Sequence, residues 1–191
     1  MAIRRIAQIG HPVLREISRE VSIEQLCSDE MQRFIDDIIE TMRDANGAGL
    51  AAPQIYEPVR ICVIEVRNNP RYPDRPNIPL TVLVNPRLTP LGDERFDNYE
   101  GCLSVPDLRG VAPRHAVLRV EALDRHGAAL EFVARGLSAG VYQHEVDHLD
   151  GKLFLDRVVD PSTLSTWREF ERHHQASATE HARAIVARYG S

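Results

Sequence analysis

The chain has 191 residues, with 23 Lys and Arg against 28 Asp and Glu, a formal charge of −5. That length suits one globular unit with a sizeable core, and the acidic balance argues against binding nucleic acid through a dominant basic surface. No run of about 18 apolar residues occurs, and the start, "MAIRRIAQIGHPVLRE", lacks an apolar stretch of signal-peptide length, so a soluble, cytoplasmic protein is expected. Cys27, Cys62 and Cys102 form an odd, widely spaced set that reads as reduced thiols and not as a disulfide framework.

The first strong element runs from about Asp29 to Ala45, where Met31, Phe34, Ile35, Ile38, Ile39 and Met42 recur at helical spacing. Ser28 can cap its start, Asp29 and Glu30 favour its first turn, and Asn46-Gly47 can end it in a left-handed turn. Two β-branched runs follow, "VRICVIEV" (59–66) and "LTVLVNPRL" (80–88), parted by a Pro-rich excursion over 68–79 whose role the sequence leaves open. Residues 116–124 and 128–136 flank Arg125-His126-Gly127 and predict a β-hairpin. A helix over 138–150 comes next, with Val141, His144, Glu145 and His148 on one face, Leu137 one turn earlier, and Gly151 as its stop. After Pro161 a terminal helix begins, with Leu164, Trp167 and Phe170 on one side. The expectation is an α+β domain in which antiparallel strands pack around the central helix 138–150, with an amphipathic N-terminal helix and a C-terminal helix. It forms one unit over 1–191, of which 162–191 is the C-terminal helical segment.

Inside the central helix, "QHEVDHLDG" (143–151) sets His144 and His148 one turn apart with Glu145 between them, a metal-binding pattern. The plain alternative is an amphipathic helix with two partly buried histidines. Two imidazoles need a third ligand to make a catalytic site. A histidine three residues after Gly151 would serve, but Phe154 stands there. Glu169 and Glu171 lie 21 and 23 residues beyond His148, near the spacing of thermolysin-like peptidases, in a charge-rich stretch that also reads as a solvated helix face. Cys102, in "YEGCLSVPDLRG", would give a thiolate with two imidazoles, a set that leaves a fourth position for water. An isolated cysteine is otherwise a small buried hydrophobe, which suits Cys62 better than Cys102 beside Gly101 and Pro106. A purely structural site would want a fourth protein ligand, for which Cys27 is the candidate.

"GAGLAAPQ" (47–54), "EGCLS" (100–104) and "QHEVDHLDG" (143–151) resemble, in order and separation, the three signature motifs of peptide deformylases, and "GHPVLRE" is similar to that family's N-terminal segment. The resemblance implies a hydrolase that removes the formyl group from the N-terminal formylmethionine of new chains, with Cys102, His144 and His148 as metal ligands. Glu145 would be the general base and then acid, and the Gln54 amide and Leu103 N–H would hold the oxyanion. The peptide would lie extended along Gly47-Ala48-Gly49 and Gly101, with Leu137 and Val141 lining an apolar pocket for the methionine side chain. Arg109 matches a family residue near the substrate backbone, although a solvated loop arginine is the simpler reading. Glu100 and Arg114 would pair behind the cysteine loop. One divalent metal per chain is implied, ferrous iron being favoured in the cell, while the same ligands suit zinc, nickel or cobalt. Formylmethionyl nascent peptides would be the partners, with a transient ribosome contact through Arg168, Arg172, Arg183 and Arg188 and no DNA or membrane contact. The competing reading is a metalloendopeptidase with Glu169 as third ligand.

Overall fold

The computed structural model describes residues 2–67 and 76–191. In chain order its helices are α1 (Ile23–Leu26), α2 (Asp29–Asp44), α3 (Gly136–Leu149), α4 (Trp167–His173) and α5 (Gln175–Tyr189). The strands are β1 (Gly49–Ala51), β2 (Ile61–Val66), β3 (Ile78–Pro90), β4 (Arg95–Cys102), β5 (Val105–His115), β6 (Val117–Leu123), β7 (Ala129–Arg135) and β8 (Ser165–Thr166). The Pro-rich stretch 68–79 follows β2 and includes the first two residues of β3, and most of it, 68–75, lies outside the described residues.

Local signals place α2 where the sequence predicts it. Ser28 Oγ accepts from the Met31 N–H at 3.2 Å, and Asn46 leaves the helix at φ 52°. The apolar stripe of α2 covers one face of a five-stranded antiparallel sheet, ordered β1-β2-β3-β6-β7, and α3 covers the other. β2 shows why its residues read as an unbroken apolar run. Ile61 and Val63 join Ile35, Ile38 and Met42 on the α2 side, whereas Cys62 and Ile64 join Val141, Tyr142 and Leu149 on the α3 side. Side chains alternate along a strand, so a strand covered on both faces needs apolar residues at every position. The predicted hairpin is β6–β7, in register from Val117–Arg135 to Leu123–Ala129.

A second antiparallel sheet holds β4, β5 and β8. β4 and β5 pair regularly from Arg95–His115 to Gly101–Arg109, after which the register shifts and Cys102 comes opposite Val105. Such an irregularity at a strand end re-aims the side chain that follows it.

The C-terminal segment departs from the single helix expected after Pro161. Ser165 and Thr166 add β8 to β5, the Thr166 hydroxyl then caps α4, and the chain breaks again at His174 before α5. The reason is packing. Phe170 of α4 is buried, while Ile185 of α5, with Ala182, Val186 and Tyr189 beside it, covers Leu137, Phe96 and Ala116, and one straight helix could not reach both places. Arg135, at the N-cap of α3, offers no side-chain bond to the helix, and the Ser191 carbonyl accepts from the Leu137 N–H at 3.0 Å instead. The start of α3 is therefore gripped by α5, and its body by the larger sheet. Among the described residues no helix is long and apolar enough to cross a membrane.

If α5 is part of the cooperative unit, Ile185→Ala should cost about 2–4 kcal/mol, read as a lower urea midpoint with an unchanged m-value. An unaltered midpoint would mean that α5 frays without consequence for the core.

Candidate metal centre and active site

Two separate elements deliver the candidate ligands: β4 ends on Cys102, and α3 carries His144 and His148 one turn apart. One ligand atom from each comes within 4.8 Å of the other two, and Cys102 Sγ lies 3.3 Å from His148 Nε2. Glu169 stands elsewhere, half-exposed on α4 and paired with Arg172 and His173, each at 3.3 Å. Cys27 is exposed at the end of α1. Neither joins the group, so the endopeptidase reading and the structural-site reading both lose the ligand they need.

The His144 imidazole is oriented from behind, whereas His148 Nδ1 is buried with no partner among the described residues. Glu100 Oε2 sits 2.7 Å from His144 Nδ1, which places the proton on Nδ1 and leaves Nε2 as the atom that could ligate a metal. The expected Glu100–Arg114 pair is present, with Arg114 Nε and Nη2 donating at 2.7 and 2.9 Å. Arg114 Nη1 also donates to Asp147 Oδ2 at 2.5 Å, and Arg157 Nη2 donates to Asp147 Oδ1 at 2.6 Å. Burial opposes charge on Glu100, but the Arg114 guanidinium and His144 hold its carboxyl far below the usual carboxylate range. The sequence reading passed over Asp147. Its only local signal is that it follows His144 by three residues on α3, and its partners come from β5 and the turn after α3.

Burial likewise opposes ionisation of the Cys102 thiol, yet the imidazoles of His148 and His144 outweigh it and bring the pKa down to about 5. Gln54 Nε2 and the Ser104 N–H also face the sulfur, at 3.6 and 3.4 Å. The Gln54 amide cannot turn round, because its Oε1 accepts from the Ala51 N–H at 2.8 Å while Nε2 donates to Ser104 Oγ at 3.1 Å. Ser104, fully buried at the tight turn after Cys102, is a further member of the site that sequence reasoning missed; its signal was membership of "EGCLS".

Glu145 is the opposite case from Glu100. Burial lifts its carboxyl to about 7, with the two histidines pulling the other way. Its Oε2 is buried with no hydrogen-bond partner among the described residues, and it lines the cleft above the ligands. A Cβ at Gly49 would stand 2.7 Å from Glu145 Cγ, so glycine is required there for the carboxylate to pack against β1.

That cleft is lined by the expected Gly47, Ala48, Gly49, Gly101, Leu103 and Val141, and by three residues not anticipated, Asn46, Asn98 and Gly140. Two expected residues lie outside its lining. Leu137 occupies the first turn of α3, which is under α5, and it packs there with Phe96, Ala116 and Ile185. Arg109 is 3% exposed, its guanidinium carbon 4.5 and 4.6 Å from the ring centroids of Trp167 and Phe170. It is not a solvated loop residue, because α4 folds over it, and its side chain lies against Gly101 of the cleft.

A thiolate with two imidazoles is a borderline-soft, three-ligand set that fits a catalytic zinc, ferrous iron, cobalt or nickel ion. With a buried carboxylate beside it and fixed N–H donors facing the sulfur, the arrangement is that of a mononuclear metallohydrolase. Residues 3–163 match the family model for polypeptide deformylase, and the chain belongs to that family. Peptide deformylase 1 of Prochlorococcus marinus is 44% identical over 90% of this chain and 88% of its own length, and peptide deformylase 2 of Ralstonia nicotianae is 45% identical over 83% and 88%. A class I type b peptide deformylase from Acinetobacter baumannii, solved with Met-Ala-Ser bound, superposes with a TM-score of 0.79 at 39% identity, over 82% of this chain and 99% of that one. The Thermotoga maritima peptide deformylase gives 0.74 at 31% identity, over 84% and 100%. The chain is thus a metallohydrolase that deformylates N-formylmethionyl peptides.

The raised carboxyl of Glu145 has a consequence for the metal-free protein. Between its ordinary 4.5 and its folded value of about 7, the folded state binds the proton more tightly, so stability falls as pH rises through that window. Metal-free Glu145→Gln should match metal-free wild type near the lower limit and exceed it above the upper one, by on the order of 3 kcal/mol. Parallel thermal-midpoint curves across that range would show that Glu145 is not desolvated.

Proposed function

We propose that Cys102, His144 and His148 hold the catalytic metal, ferrous iron in the cell with zinc, nickel or cobalt able to replace it, and that residues 1–191 act as one cytoplasmic unit on formylmethionyl nascent chains. The observation that supports this reading best is the convergence of Cys102 on the His144–His148 pair, with Glu145 buried beside them. A divalent ion bound there supplies Lewis acidity and makes water nucleophilic at neutral pH.

The chain's own groups account for the remaining steps. Glu145 takes a proton from the attacking water and returns it to the amide nitrogen as the C–N bond breaks, a role suited to a buried carboxyl that lines the cleft beside the candidate ligands. Gln54 Nε2–H, already held by its bonds to Ala51 and Ser104, and the Leu103 N–H donate to the developing oxyanion. The peptide runs along Gly47-Ala48-Gly49 and Gly101, where three glycines and one methyl group leave the backbone open to pairing. Val141 lines the part of the cleft that receives the first side chain, and the Met-Ala-Ser peptide of the Acinetobacter structure supports a methionine there. Glu100 and Arg114 orient His144 from behind the cysteine loop.

A transient ribosome contact through α4 and α5 would use Arg168, Arg172, Arg183 and Arg188, of which Arg172 pairs with Glu169 and Arg188 with Glu94. Cosedimentation with ribosomes that survives charge reversal at Arg168 and Arg183 would discard that contact.

The direct test is formate release from formyl-Met-Ala-Ser by protein purified without oxygen. Glu145→Ala should lower kcat by about 100-fold or more, the usual size of a general-base effect. Cys102→Ala should lose the metal, and Glu169→Ala should keep both metal and activity. No release by folded, metal-replete wild type would reject the assignment.

A further inference from the structure

Asn98 and Gly140 line the cleft and have no part in the chemistry described above. Asn98 and Glu100 are two residues apart on β4 and therefore share a face of the strand. Asn98 is 3% exposed and donates its Nδ2–H to Glu100 Oε1 at 2.9 Å, the oxygen that also receives Arg114 Nε. Glu100 Oε2 is left to Arg114 Nη2 and to His144 Nδ1. Across the interface, Gly140 lies one turn before His144 on α3. A Cβ at Gly140 would come within 2.9 Å of Asn98 Nδ2 and 3.4 Å of Phe96 Cζ. The Asn98 amide therefore rests on a patch of helix backbone that a side chain at 140 would take away.

We propose that Asn98 is a positioning residue for His144. Seated on Gly140, its amide occupies the Glu100 oxygen that the histidine does not use, and so keeps the other oxygen aimed at His144 Nδ1. A bidentate guanidinium fixes where Glu100 sits, but each carboxylate oxygen has a second partner, and the amide decides which oxygen is free for which. Because the same amide forms part of the cleft wall, the substrate cavity and the ligand geometry share one side chain. The inference rests on the assignment of Cys102, His144 and His148 as metal ligands.

The test uses full-length protein loaded with cobalt, comparing wild type, Asn98→Leu (similar in size, with no donor), Gly140→Ala and the double variant. Cobalt affinity is read by competition with a chelator, ligand geometry by the visible spectrum, and any purely structural effect by the thermal midpoint of the metal-free proteins. Both single variants should bind cobalt roughly 10-fold more weakly, the lower end of effects seen when the partner of a ligating histidine is disturbed. Their visible bands should shift, and the loss of cobalt affinity should exceed what any fall in the metal-free midpoint accounts for. The double variant should be no weaker than Asn98→Leu alone, since both changes remove one interaction. Wild-type affinity and spectrum in Asn98→Leu would overturn the proposal, as would weaker binding matched by a proportionate fall in the metal-free midpoint. If wild type itself shows no thiolate-to-cobalt absorption, the ligand assignment fails and the proposal falls with it, a result distinct from either of the others.

Discussion

The Glu100–Arg114–Asp147 cluster is the constraint on which the rest of the site depends, because it joins β4, β5 and α3 through charges taken out of water. Removing such charges from solvent costs several kcal/mol per ion, which only well-formed hydrogen bonds to every charged atom offset. Both oxygens of Glu100 are engaged, Arg114 uses Nε and both terminal nitrogens, and both oxygens of Asp147 are taken. A slide of α3 along the smaller sheet would break several of these contacts together. The docking that satisfies them is also the one that brings Cys102 to His144 and His148.

Two glutamates in one small volume are driven apart by their surroundings. Glu100 faces a guanidinium and stays ionised; Glu145 faces a cleft walled by glycine backbone, and its carboxyl titrates near neutrality. One therefore serves as a fixed negative partner for an imidazole and the other as a group that can exchange a proton. The same residue type yields two functions because one carboxylate has a permanent cation against it and the other does not.

Much of this organisation is legible in the sequence, and what is not has a common cause. α2 carries its own cap, stripe and stop, and β6–β7 its own turn, so short-range rules suffice for both. The placing of His144, Glu145 and His148 together on one helix is likewise legible, because it follows from their spacing alone. Cys102 arrives from a different sheet, and there the resemblance of "EGCLS" to a known motif supplied what spacing could not. Leu137, Arg109 and Asn98 were misjudged or passed over since their surroundings are set by partners remote in sequence: α5 over Leu137, two aromatic rings of α4 around Arg109, and a bare helix turn at Gly140 beneath Asn98. β8 is two residues long, too short for any periodic signal, yet it anchors the segment that does the covering.

The long path between Cys102 and His144, which takes in all of β5, β6 and β7, bears on how the protein matures. Until those strands pair, that whole span separates Cys102 from the two histidines of α3, and the three groups come within 4.8 Å of one another once both sheets and α3 have closed. If these three groups hold the metal, its capture requires the completed fold. An ion held by all three would act as a cross-link across that loop, worth about 4 kcal/mol if it behaves as a disulfide of similar span would. Chelation would thus loosen the architecture as well as silence the enzyme.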